Sequence, residues 1–152
     1  MGDVSGRCRC TPEQVARYRG RLSGPLLDRI DLQVFVPRLD TAELAASAGA
    51  RGEPSAAVRE RVCRARALQM ARSGKPNARL APGELEPGRW LDAAARQLLA
   101  TAISRLTLSA RAYHRVLKVA RTVADLEGAA VAGAAHVAEA VRYRQLDRAA
   151  QA

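Results

Sequence analysis

Apolar positions recur along this chain mostly at helical spacing, with one short run that alternates instead. Thr11-Pro12-Glu13-Gln14 reads as a helix start, with Thr11 as N-cap, Pro12 at the first helical position and Gln14 closing a capping box. Val15, Tyr18 and Leu22 then share one helical face until Ser23-Gly24-Pro25 stops the run. A short turn over 26–30 leads into 31–36, where Leu32, Val34 and Val36 alternate as in a strand, closed by Pro37. Residues 38–54 read as a linker with a weak helical turn. Ser55 caps a predicted helix over 55–72, with Val58, Val62, Ala65 and Leu68 on one side, ended by Gly74 and Pro76. A loop over 77–88 follows, carrying Pro82, Gly83 and Pro87.

The last third has the clearest period. Leu91, Ala95, Leu98, Ala102 and Leu106 form one stripe, flanked by Leu99 and Ile103. Ser109 caps a helix whose Tyr113, Val116, Leu117, Ala120 and Ala124 face inward, ending at Gly128. A third helix over 134–148 offers Val137, Ala140, Val141 and Leu146. Three helices joined by short loops predict a small bundle. A single strand cannot bury itself, so 31–36 predicts either a piece of a larger sheet or an edge that invites association.

Composition adjusts this picture in one respect and charge in another. The length of 152 residues fits one domain or a small domain with an appendage. Aromatic residues are only 3% of the chain, so the core must be built from thin alanine, leucine and valine helix faces. The formal charge is +10 and unevenly spread: between positions 55 and 79 seven basic residues stand against Glu60 alone. Such a field attracts phosphate-rich partners, and Arg59, Arg64, Arg66 and Arg72 are the candidate nucleic-acid contacts; a solvated helix face reads equally well. Cys8, Cys10 and Cys63 do not make a disulfide framework, and Cys63 reads as core. No signal peptide, long apolar run or lipidation motif is present, so a cytoplasmic protein without membrane partners is expected.

Two arginines stand out chemically. Arg29 lies in an apolar segment between Asp28 and Asp31, so it is either a local ion-pair partner or a group held toward an anion. Arg111 falls in the first turn of the Ser109-capped helix, where backbone N–H groups favour anions and an unaccompanied cation opposes the helix dipole. Arg115 and Lys118 extend it into a basic ridge, for which a solvated face is again the alternative. Cys8 and Cys10 form a lone Cys-x-Cys, at most half a zinc site, and no metal site is assigned. His114 and His136 read as surface or capping residues. There is no Ser/His/Asp set, no carboxylate pair and no Gly-x-x-x-x-Gly-Lys-Ser/Thr loop, so this stretch has nothing of its own to cradle a triphosphate or hold magnesium.

Cys8-Arg9-Cys10-Thr11-Pro12, Tyr18, Arg21-Leu22-Ser23-Gly24-Pro25-Leu26-Leu27-Asp28-Arg29-Ile30-Asp31-Leu32 and the run from Leu108-Ser109-Ala110-Arg111 through Val123-Ala124-Asp125-Leu126 carry a family resemblance. Together they look like the C-terminal part of the magnesium-chelatase-like AAA+ ATPases, the ComM/YifB group, over positions 8 to about 148. The resemblance implies a mainly α fragment of an AAA+ module, with one residual strand and a three-helix C-terminal lid bundle. Residues 1–37 would end the α/β core, 38–88 would be a linker and basic insertion helix, and 89–152 the helical lid. Arg29, in Leu-Leu-Asp-Arg, falls where the family carries an arginine finger that acts on a neighbouring subunit's ATP. Arg111, in Leu-Ser-Ala-Arg, falls on the sensor-2 arginine that contacts ATP phosphate.

The group is similar to hexameric DNA helicases that drive branch migration in natural transformation, and the Cys-x-Cys leading into Thr-Pro belongs to that DNA-handling branch. The implied partners are the rest of the AAA+ module, neighbouring subunits and DNA. The implied cofactors are ATP and magnesium in the complete protein, with none bound by this stretch alone. The family's Walker A and B segments and a Cys-Pro-Cys-Gly stretch have no counterpart here, so a piece unable to hydrolyse ATP alone is expected. The alternative is a free-standing basic helical module that binds nucleic acid.

Overall fold

The computed structural model describes residues 9–34, 36, 42 and 52–144, without the side chain of Arg19. Among them the chain is mainly helical, as expected. Helices α1 (Pro12–Arg19) and α2 (Gly24–Leu27) come first, followed by the long α3 (Ser55–Ser73). Two 3₁₀ turns, Asn77–Arg79 and Pro82–Glu84, lead to the short α4 (Pro87–Trp90). The bundle is α5 (Ala93–Leu106), α6 (Ala110–Glu127) and α7 (Ala134–Arg142). No helix among the described residues is long and apolar enough to cross a membrane.

Several helix ends follow from their capping chemistry. The Gln14 amide donates to the Thr11 hydroxyl at 3.3 Å while the Thr11 amide donates to Gln14 Oε1 at 2.9 Å, which is the expected capping box of α1. Ser109 Oγ accepts from the Ala112 amide at 3.1 Å and starts α6, and Gly128 ends it in the left-handed region at φ 74°. Helix α5 starts two residues later than the apolar stripe suggests, because Asp92 Oδ1 caps it through the Ala95 amide at 2.7 Å. Thr107, at φ 46°, turns the chain from α5 toward α6.

The core lies between α5, α6 and α7, around Ala95, Leu99, Val116, Leu117, Ala120, Ala124, Val137 and Ala140. The 77–88 segment contributes more than a loop: Leu80 and Leu85 are buried, and Trp90 at the end of α4 closes the core. Large side chains from an irregular segment thus fill space that the alanine-rich helices leave open.

Three expectations are corrected. The strand expected at 31–36 does not form at residues 31–34 or 36, and Leu32, Val34 and Val36 are exposed. A strand needs a partner to satisfy its backbone, and none runs beside it among the described residues; the Gln33 amide instead donates to the Tyr143 carbonyl at 2.9 Å. The one sheet-like pairing among those residues is a parallel bridge between Leu91 and Ala132. Second, Val58, Val62 and Leu68 of α3 are exposed, and so is Cys63, which had read as core. The face that packs carries Ala65, Gln69 and Arg72 instead, because its polar members find buried partners. Third, α7 ends at Arg142, followed by a turn through 144. Leu146, Cys8, Phe35, Pro37 and most of the 38–51 linker lie outside the described residues.

A buried polar knot joins α3 to α6. Arg72 donates to both oxygens of Asp125, at 2.7 and 2.8 Å, and to Asn77 Oδ1 at 2.9 Å. Asn77 Nδ2 donates to Asp125 Oδ2 at 2.8 Å, and Arg121 Nε to Asp125 Oδ1 at 3.1 Å. Arg121 also reaches the carbonyls of Ala129 and Ala130 beyond the end of α6. Burial alone pushes the Asp125 carboxyl up, but the hydrogen bonds from Arg72 and Asn77 and the charges of Arg121 and Arg72 hold it below its ordinary value.

Candidate functional site: two arginines around Asp28

Ser23 starts α2 by accepting from the Leu26 amide at 3.3 Å, and Leu27 is the buried anchor of this short helix. Asp28, its C-cap, points its carboxylate at the bundle. Oδ1 accepts from the Ser109 hydroxyl at 2.8 Å, Oδ2 lies 3.6 Å from Arg111, and Oδ1 lies 3.8 Å from Arg144. The Arg144 side chain is 1% exposed and also donates to the Ile30 carbonyl. One carboxylate therefore joins the turn after α2, the first turn of α6 and the turn that follows α7.

Arg29 behaves differently from its neighbour. Its guanidinium is exposed and donates to the Pro25 carbonyl at 3.1 Å, and among the described residues it forms no ion pair with Asp28 or Asp31. Asp28 is directed to the bundle, and Asp31 pairs with Arg115. The local ion pair that the sequence left open for Arg29 is thus made by other residues.

Arg111 is 53% exposed despite its contact with Asp28. With Arg115 and Lys118 it forms a ridge along the N-terminal half of α6, above a groove of about 330 Å³ that Asp31, Ala78, Pro82 and His114 help to line. Lys118 donates to the Ala78 carbonyl at 3.2 Å, tying the far end of the ridge to the first 3₁₀ turn. The Nδ1 atom of His114 is buried in this region with no hydrogen-bond partner among the described residues. His136, by contrast, caps: its Nδ1 accepts from the Gly133 amide at 2.7 Å, so its other nitrogen donates to Glu127 at 2.9 Å.

The basic helix splits into two groups. Arg59 and Arg66 are exposed and form no ion pair among the described residues, while Arg64 is paired with Glu60 at 2.6 Å. Arg72 departs from the set of candidate nucleic-acid contacts, because its guanidinium is committed to Asp125 and Asn77 inside the fold and lies 5.4 Å from the centre of the Trp90 ring. Cys10 is half-buried, and no group of three or more metal-ligating side chains gathers among the described residues.

The sequence pointed to Arg29 and Arg111 separately but not to the carboxylate between them, nor to Arg144. Asp28 read only as a neighbour of Arg29, and its contacts lie 81 or more positions away. The one signal was the Asp-Arg pair followed by a Ser-x-Arg helix start.

Comparison with known proteins identifies the family. Residues 52–144 match the family model described as magnesium chelatase, subunit ChlI C-terminal, and residues 1–44 match magnesium chelatase, subunit ChlI. Competence protein ComM of Haemophilus influenzae is 48% identical over 140 residues, which is 92% of this chain and 27% of that protein. The YifB proteins of Salmonella typhimurium and Escherichia coli are 44% and 43% identical over 92% of this chain and 28% of their own length. The chain thus spans a little over a quarter of the curated relatives it matches. It belongs to the magnesium-chelatase-like AAA+ family, in its ComM/YifB group, and corresponds to the C-terminal region of those proteins.

Proposed function

We propose that this region supplies two arginines to ATP sites formed between subunits of an AAA+ motor that acts on DNA. Arg29 is the arginine finger, acting on the nucleotide of an adjacent subunit, and Arg111 is the sensor that contacts a phosphate from the lid. Nucleotide and magnesium are held by the Walker segments that members of the family carry. The reading is carried by the Arg29 guanidinium, which is exposed and free of any carboxylate among the described residues although an aspartate precedes it directly. A planar fork offered to solvent from the turn after a short, anchored helix is suited to stabilising charge that develops on a transferring phosphoryl group. The relative named for competence supports a DNA substrate.

Arg29→Ala in a protein that also carries the Walker segments tests the assignment. Turnover falls on the order of a thousandfold while nucleotide affinity is retained, as arginine fingers behave. Unchanged turnover removes Arg29 from this role.

Direct nucleic-acid contact by α3 is a second reading, favoured by the exposed Arg59 and Arg66. A fluorescence anisotropy titration of the chain with duplex DNA then shows affinity that falls steeply with salt and weakens in Arg59→Ala/Arg66→Ala. No binding at low salt eliminates it.

A further inference from the structure

We infer that Asp28 is a positioning residue that presents Arg29 and Arg111 as one unit. What the unit serves rests on the function proposed above; the coupling itself does not. Arg29 follows Asp28 directly in sequence, so any displacement of the Asp28 backbone moves the Arg29 turn. The Asp28 carboxylate reaches the Ser109 hydroxyl, which caps the helix carrying Arg111, and also faces Arg111 itself. Its third partner, Arg144, is a buried guanidinium 3.8 Å from Oδ1, close enough to attract the carboxylate from inside the fold. That contact keeps Asp28 directed inward and leaves Arg29 to point out.

Three further contacts close the same seam: Arg144 to the Ile30 carbonyl, the Gln33 amide to the Tyr143 carbonyl, and Arg115 to Asp31. Residues 28–33 therefore lie along the bundle without being part of its apolar core. The attachment is polar, and in it Asp28 meets Ser109 and Arg111 at the start of α6 and Arg144 beyond α7.

The test is amide hydrogen exchange by NMR on the 152-residue chain, comparing the wild type with Asp28→Asn and Ser109→Asp. Aspartate preserves the N-cap of α6 but sets a second carboxylate against Asp28, so that variant opens the seam while the Asp28 charge is retained. In both variants the amides of Leu27, Asp28 and Gln33 exchange faster by about tenfold or more, while those of Val116 to Ala120 keep their protection. Unchanged protection at Leu27, Asp28 and Gln33 in Ser109→Asp, with the core intact, overturns the inference.

The catalytic consequence is read in a protein that also carries the Walker segments. Ser109→Asp, which retains the Asp28 charge, lowers kcat for ATP while the protection of Val116 to Ala120 stays at the wild-type level, which a general loss of packing would reduce. Turnover left at the wild-type level despite faster exchange removes the link to catalysis. Failure of the arginine-finger reading shows separately, as unchanged turnover in Arg29→Ala.

Discussion

Asp125 shows what a single side chain does in this fold. Its carboxylate is buried and compensates two guanidiniums, Arg72 from α3 and Arg121 from its own helix, with Asn77 completing the set. Removing the charge leaves two arginines without their carboxylate, so Asp125→Asn destabilises the chain by about 3–5 kcal/mol in chemical denaturation. The same group sets an acid limit. Its folded pKa lies below the ordinary carboxylate value, so its contribution is complete above the unfolded value near pH 4 and is lost as pH falls through the depressed one. Urea midpoints measured from neutral to acidic pH therefore fall less steeply in Asp125→Asn than in the wild type. Equal slopes would mean that the network does not titrate as a unit.

Several helix ends were legible because capping is decided within a few residues, although Ser55, expected as a cap, is instead the first residue of α3 behind Pro54. Thr11, Ser109 and Gly128 each act where their chemistry predicts. Gly128 holds φ 74°, so Gly128→Ala costs about 1 kcal/mol of stability, measurable as a lower thermal midpoint, even though no atom crowds the added methyl group. Other features depend on residues far away and were not legible. Leu32, Val34 and Val36 carry a strand's alternation, but no paired strand stands beside them among the described residues. Helix α3 has a plausible apolar side, yet it packs through Gln69 and Arg72, whose partners sit on the 3₁₀ turn and on α6. Arg29 and Arg111 could be singled out from sequence because their local motifs are specific; the contacts of Asp28 could not, because its partners become neighbours only after folding.

At the scale of the whole molecule, the apolar bundle and the segment before α3 contrast sharply. Leu22, Leu26 and Leu32, close to Arg29 in sequence, are about half exposed, while Leu99 and Leu117 in the bundle are buried. Exposed leucines of this kind favour association. Light scattering at rising concentration therefore detects self-association that Leu26→Lys/Leu32→Lys reduces, with folding stability changed by no more than about 0.5 kcal/mol per substitution, the usual range at exposed sites. A monodisperse wild type at high concentration would contradict this.

The contact between Arg144 and Ile30 spans 114 positions. Closing a loop of that length from an unfolded chain costs about 4 kcal/mol of entropy, which a polar contact cannot recover unless the bundle has already brought its ends close. The order of folding follows from that geometry. The helices at the C-terminal end assemble first through contacts nearer in sequence, and the turn bearing Arg29 settles on them last. Asp28→Asn should therefore speed unfolding while leaving the folding rate nearly unchanged, whereas truncating Val116 should slow folding.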